Sequence, residues 1–317
     1  MPQLRQEKGM ALLLVLVVIA LLASLLSEFA FSTLVDLRLT ETYRDRTAAF
    51  YLARGGIEAG RIILREDRNN YDHPSELWGQ GVPNYPVGEG TVSIVIEDLS
   101  GRFNLNGIAD NKGNPLPGFH RFVALCEEVL DLSTEEASEL ASALQDWQNA
   151  DPQFTSVDDS YYLQLEPPYA RKAGALDAVE ELNLVRGFDA EKVDKLKPFI
   201  RVFGDNRINL NTASAELLYA WQSSAAPGNV QIILEPADIQ EIIEYREQQP
   251  LEKLANLDQV NGYIPSWLSA WQNAAVEGTV YRVRGEGQIN QGIRAVEAIV
   301  EKNKQANRVK LVFLRVE

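Results

Sequence analysis

Gly9-Met-Ala-Leu-Leu-Leu-Val-Leu-Val-Val-Ile-Ala-Leu-Leu-Ala-Ser-Leu-Leu-Ser27 is the stretch whose reading decides the fold. No charged residue stands between Lys8 and Glu28. As a helix rising about 1.5 Å per residue, the run crosses most of a hydrocarbon core about 30 Å thick. Arg5 and Lys8 precede it in a short polar leader, which sets the leader on the cytoplasmic side and the body of the chain across the membrane. The helical pattern then continues. From Phe31 to Arg68 there is no proline, and the first glycine is Gly55. Leu34, Val35, Leu37, Leu39, Tyr43, Phe50, Leu52 and Ile57 recur at roughly helical spacing among charged residues. One helix is therefore expected to leave the membrane unbroken and run on as an amphipathic stalk. Gly55-Gly56 and Gly60 weaken its end but allow close packing. Three fates of the apolar run are open: removal as a secretory signal near Ser24 or Ala30, retention as a plain anchor, or processing ahead of it, after Gly9.

The body of the chain reads as α+β. Asn69 to Gly90, rich in Gly, Pro, Asn and aromatics, reads as an irregular loop. Gly90 to Asp98 alternates with β-branched content and reads as a strand. The other strands are expected only at the far end, over Thr279–Glu286, Ala295–Glu301 and Val309–Val316. A lone strand cannot form a sheet. The first strand must therefore join the C-terminal ones across a mostly helical block, about 105–272. That block divides into two units, Phe103–Phe203 and Ile208–Trp271. Ser133-Thr-Glu-Glu136 is a capping-box signal, and helices are expected over Phe122–Leu130, Glu135–Trp147 and Pro236–Gln248. An internal echo points to duplication: Phe103-Asn-Leu-Asn106 against Ile208-Asn-Leu-Asn211, and Glu181-Leu-Asn-Leu-Val-Arg-Gly187 against Leu254-Ala-Asn-Leu-Asp-Gln-Val-Asn-Gly262.

A polar leader ending in Gly9, followed directly by an apolar helix that continues into a soluble body, resembles the type IV pilin and type II secretion pseudopilin superfamily. The resemblance implies cleavage after Gly9 by a prepilin peptidase and N-methylation of Met10. Most members carry a glutamate at the fifth mature position, where this chain has Leu14. Asp146-Trp147, Asp151, Pro167-Pro168-Tyr169, Glu181-Leu182, Gly187 and Ile208-Asn-Leu-Asn-Thr-Ala213, in that order and together with Leu14, resemble the K-type minor pseudopilins. What this implies is a pilin-like fold of long N-terminal helix and antiparallel sheet, interrupted by two SAM-like or helix-hairpin-helix-like repeats. The divisions would be a leader at 1–9, a transmembrane and stalk helix at 10–68, a pilin-like α+β domain at 69–104 and 273–317, and helical domains at 105–205 and 206–272. The implied role is structural: a subunit at the tip of the pseudopilus that starts assembly and supports export of folded proteins. Implied partners are the I-type and J-type minor pseudopilins, through them the H-type and major pseudopilins, the prepilin peptidase and the inner-membrane assembly platform. The implied location is the Gram-negative inner membrane, single-pass, with the body in the periplasm. A carboxylate in hydrocarbon is costly unless paired. With Leu14 the chain offers none to a neighbour, which suits a first or last subunit. The alternatives are a minor pilin or DNA-uptake component of a type IV pilus-like system, or an anchored periplasmic binding protein.

Little else in the sequence points to chemistry. Asp146, Asn149, Asp151, Asp158 and Asp159, with Glu166 nearby, are hard oxygen donors at close spacing but match no EF-hand loop. Composition alone reads them as a solvated acidic loop, whereas the resemblance implies calcium. Asn149 stands where the family tends to have Asp, and Val157-Asp-Asp-Ser-Tyr161 departs from the family's glycine-bearing segment. Nucleic acid is not an expected ligand: 45 acidic against 30 basic residues leave a net charge of −15, and no Lys or Arg stands near Gly262. His73 and His120 read as loop-borne surface residues and Cys126 as a buried small residue, so no enzyme is expected.

Overall fold

The computed structural model describes residues 4–151, 159–223, 236–261 and 273–317. The chain opens with α1 (Leu4–Glu66), 63 residues without interruption. A short α2 (Leu77–Gln80) follows, then strands β1 (Val82–Val87) and β2 (Gly90–Asp98). The helical region begins with a two-residue strand β3 (Phe103–Asn104), then α3 (Pro117–Leu130), α4 (Thr134–Gln148), α5 (Asp159–Leu163), α6 (Ala190–Leu196) and β4 (Ile200–Arg201). Its second half runs through β5 (Ile208–Asn209), α7 (Ala215–Ser223), α8 (Pro236–Gln248), α9 (Asp258–Asn261) and β6 (Ala274–Ala275). Strands β7 (Val280–Ile289), β8 (Gly292–Asn303) and β9 (Arg308–Val316) close the chain.

Five strands form one antiparallel sheet in the order β1-β2-β7-β8-β9. β2 pairs with β7 from Thr91 against Gln288 to Asp98 against Tyr281, so the strands flanking the helical region are neighbours. This is the architecture expected of the pilin-like fold with a helical insertion. The stretch Asn69 to Gly90 differs from the irregular loop expected, because it contains α2 and the edge strand β1. Pro83 and Pro86 concealed that strand. Proline has no N–H for a ladder, but the outer side of an edge strand does not need one.

The second half of α1 lies on the sheet. Ala49, Ala53, Ile57 and Leu64 fall on one stripe of the helix and are fully or almost fully buried; Ile57 and Leu64 pack among Ile94, Ile96, Val283, Val296 and Val300. The approach is close enough to demand glycine on both sides. A Cβ on Gly285 would stand 2.2 Å from the carbonyl oxygen of Ala53, one on Gly287 2.1 Å from that of Ala49, and one on Gly60 2.6 Å from Val283. By contrast, every residue from Gly9 to Thr40 is exposed.

The helical region is built from two similar units on a shared core. In the first, β3 pairs in parallel with β4, Phe103 against Ile200; in the second, β5 pairs in parallel with β6, Ile208 against Ala274. Leu182 in the first unit and Leu257 in the second are both fully buried. Ser133 and Glu136 form the capping box expected at the start of α4. In the first unit, the turn to α6 passes through Gly187 at φ +87°. Its counterpart Gly262 lies outside the described residues. The units meet where Arg121 of α3 stacks over Trp221 of α7, 4.0 Å from the ring centroid, and Phe103 meets Trp221 edge-on.

Candidate functional site

Gly9, Met10 and Leu14 all lie on the bare half of α1, with Met10 72% and Leu14 65% exposed. Among the described residues, α1 is the one helix long and apolar enough to cross a membrane, from Gly9 onward. Three of its hydroxyls are satisfied within the helix: Thr33 donates to Phe29 O, Thr40 to Asp36 O and Thr42 to Arg38 O, each at 2.8 Å. Apolar exposure on this scale requires a cover of lipid or of other helices.

The second notable place is the doorway through which the chain leaves the sheet and returns. Asp98, at the end of β2, is buried and accepts hydrogen bonds from Ser100 N (2.8 Å), Asn209 Nδ2 (2.8 Å) and Thr212 Oγ1 (2.7 Å). Burial raises its carboxyl above the ordinary carboxylate range, against the pull of these donors. Ser100 Oγ in turn accepts from Thr279 N and Val280 N at 2.8 and 3.0 Å. Asn209 also donates to Asp72 O (3.0 Å), which ties the second unit to the segment after α1. Arg201, 2% exposed, organises the link between the units, donating to Asp205 O at 2.8 Å and Arg207 O at 2.9 Å. Burial lowers its guanidinium to about 10.

Behind the doorway, Asp67, Asp72 and Glu76 each bring a carboxylate oxygen within 4.8 Å of the others, a group able to hold a metal ion. Ammonium groups stand against two of them. Lys302 Nζ is 2.7 Å from Asp67 and 2.9 Å from fully buried Asp72, and Lys304 Nζ is 3.2 Å from Asp72. Glu76 accepts from His73 N (2.8 Å) and Trp78 Nε1 (3.1 Å). Burial alone would raise the Asp72 carboxyl, but Lys302 and Lys304 outweigh it and hold it below the ordinary range. His73 belongs to this cluster and is not the surface residue expected. It is buried, its Nε2 meets Arg246 O at 2.8 Å, and burial lowers its pKa. His120 is exposed, but on α3 instead of in a loop. Cys126 is buried, and burial pushes its thiol up, away from nucleophilic chemistry.

Of the expected calcium donors, Asp146, Asn149 and Asp151 lie at and just beyond the end of α4 and Asp159 opens α5, but among the described residues their carboxylates form no group that could hold a metal ion; Asp158 lies outside the described residues. Asn149 is buried, and its Oδ1 accepts from Asp151 N at 2.9 Å. The carbonyls of Asp146 and Asn149 both accept from Arg171 Nη1, at 3.2 Å for Asp146, and Asp159 Oδ1 accepts from Arg171 Nε at 3.1 Å. Calcium gathers about six to eight oxygens at 2.3–2.6 Å. Here oxygens from three sides already converge on a guanidinium whose side chain is 10% exposed. As they stand, the described residues do not fit a calcium ion. Lys302 escaped the sequence reading because its acidic partner Asp72 lies 230 residues away; Arg171 pairs with Asp159 only 12 residues off, but in a stretch without periodicity.

Comparisons with known proteins agree with this architecture. The family model described as type II secretion system (T2SS), protein K, matches residues 101–205. The chain is 28% identical over 247 residues to type II secretion system protein K of Pseudomonas aeruginosa, covering 73% of this chain and 72% of that one. It is 28% identical over 217 residues to the protein of that name from Klebsiella pneumoniae, 65% of this chain and 67% of that one. In fold it is similar to a chain in the crystal structure of the GspK-GspI-GspJ complex from enterotoxigenic Escherichia coli. The TM-score is 0.68 at 18% identity, and the match covers 88% of this chain and 99% of the other.

Proposed function

We propose that the chain is a member of the type II secretion system protein K family of the pilin-like superfamily and the minor pseudopilin at the tip of the pseudopilus. It is a structural subunit and not an enzyme. After cleavage behind Gly9, Met10 becomes the N-terminus of a helix anchored once in the Gram-negative inner membrane, with the body in the periplasm. The bare half of α1 packs beside the corresponding helices of I-type and J-type minor pseudopilins, as the complex named for the similar structure suggests. Leu14 presents no carboxylate to a further subunit.

One observation carries the tip assignment. Along the sheet, Ala49 of α1 lies against Gly287, and Gly60, further along α1, lies against Val283 and Ile96. The insertion leaves at Asp98 and returns at Val280, beside Tyr281, which is the end of the sheet reached by the C-terminal part of α1. The helical units therefore stand on the end of the sheet away from the membrane, where they would block another pilin-like body from stacking above. No calcium-dependent step is part of this proposal.

The test is deletion in the native host, with exported proteins assayed in medium and periplasm and the tagged wild-type chain purified from membranes. The expected result is periplasmic retention on deletion and recovery of I-type and J-type subunits with the tagged chain. Normal export, or a chain recovered without either subunit, would contradict the assignment.

A further inference from the structure

We propose that Arg171 is the built-in cation that joins the end of α4 to the start of α5, so that this junction needs no divalent ion. The end of a helix leaves carbonyl oxygens without intrahelical donors and concentrates negative partial charge. At the end of α4 Asn149 O and Asp146 O, the latter also accepting from Asn149 N at 3.3 Å, both accept from Arg171 Nη1. Two residues on, Ala173 N donates to Trp147 O at 3.0 Å, so the 171–173 segment runs across that helix end as a strap. On its other edge the same guanidinium pairs with Asp159 through Nε at 3.1 Å, fixing the start of α5. One planar group thus caps a helix, neutralises a carboxylate and joins three segments.

That is the task a calcium ion performs in an acidic loop, because carbonyl and carboxylate oxygens are hard donors that suit either cation. The two cations exclude each other. A calcium ion at 2.3–2.6 Å from these oxygens would sit against the guanidinium and take the lone pairs it uses. Asn149 is neutral, and its Oδ1 is committed to Asp151 N. Arginine suits the place in a way lysine does not, since its fork reaches acceptors on separate sides while remaining fully charged.

The experiment uses the full-length chain in detergent micelles. Thermal unfolding is followed by circular dichroism in excess EGTA and again in excess calcium chloride. Wild-type midpoints should coincide to within about 1 °C, whereas a native calcium site filled at about a hundred times its Kd would raise the midpoint by about 5 °C or more. Arg171→Ala should lower the midpoint by several degrees in both buffers, and Arg171→Lys should recover only part of the loss. A calcium-dependent rise in the wild type would overturn the proposal, as would an Arg171→Ala chain that melts like the wild type. Should Arg171→Ala fail to fold, the wild-type comparison decides alone.

Discussion

Asn106 and Asn211 make matching hydrogen bonds to backbone in the two helical units, Asn106 accepting in addition from Gln148 Nε2 at 3.2 Å. Asn106 accepts from Leu176 N (2.8 Å) and donates to the carbonyls of Leu176 (3.0 Å) and Val202 (2.8 Å). Asn211 accepts from Leu251 N (2.9 Å) and donates to the carbonyls of Leu251 (3.0 Å) and Val276 (3.4 Å). Each is itself bound through its own N–H by an asparagine two residues earlier, Asn104 at 3.1 Å and Asn209 at 3.0 Å. An asparagine side chain serves here because it offers an acceptor and two donors at once. Truncation strands backbone groups in the interior, at about 1–3 kcal/mol for each unsatisfied group. Asn211→Ala and Asn106→Ala are each expected to destabilise the chain by about 2–4 kcal/mol. Asn211→Asp should do no better, because it sets an acceptor against carbonyls. Urea unfolding of the detergent-solubilised variants reads this directly, and wild-type midpoints would show that the staples are incidental.

The glycines under α1 make a second prediction. Gly285→Ala places a methyl 2.2 Å from the carbonyl oxygen of Ala53, against backbone that cannot move aside cheaply. Overpacking of this kind costs about 1–3 kcal/mol or more. Gly55→Ala is the control, since nothing lies within 4 Å of the added carbon, and it should be neutral or slightly stabilising. Thermal midpoints of the two variants should therefore fall on opposite sides of the wild type or leave only Gly285→Ala displaced. Equal midpoints would mean that the helix does not rest on the sheet as described.

Acid should separate Asp72 from its partner. The Asp72 carboxyl sits below the ordinary carboxylate range, since Lys302 and Lys304 outweigh the effect of burial. The native state thus binds this proton more weakly than the unfolded chain, so the contribution is fully present above the ordinary value of about 3.9 and is lost as pH falls through the depressed one. Lys302→Met removes that protection and leaves a buried carboxylate with a weaker partner, at a cost of about 3–5 kcal/mol at neutral pH. The deficit relative to wild type should narrow as pH is lowered toward 4, where the stranded carboxyl takes up a proton. Stability of the two proteins compared across that range checks this, and a deficit that stays constant with pH would assign the loss to packing alone.

How much of this was legible in the sequence depended on whether the cue was local. The run from Gly9 through Ile57, free of proline and nearly of glycine, announced α1, and period-two alternation announced β2, β7, β8 and β9. The paired motifs Phe103-Asn-Leu-Asn106 and Ile208-Asn-Leu-Asn211 were readable as a repeat because each second asparagine has the same buried task. β1 was hidden by Pro83 and Pro86, which suit an outer edge but resemble a loop. Asp72 and His73 sit in a turn-rich polar stretch that reads as solvent-exposed. They are buried because Lys302, Gly278 and Arg246 arrive from the far end of the chain. Arg171 follows Pro167-Pro168-Tyr169 in a segment without periodicity, and its role exists only once α4 and α5 have been brought to it.

The account rests most directly on α1 being a processed, membrane-held helix that assembles with its like. Intact mass of the chain recovered from its native inner membrane, beside a Gly9→Ala version, tests this. The predicted result is a mature chain beginning at N-methylated Met10, with the full leader retained when Gly9 is replaced. A chain beginning at Met1 in both, or one beginning after Ser24 or Ala30, would contradict it.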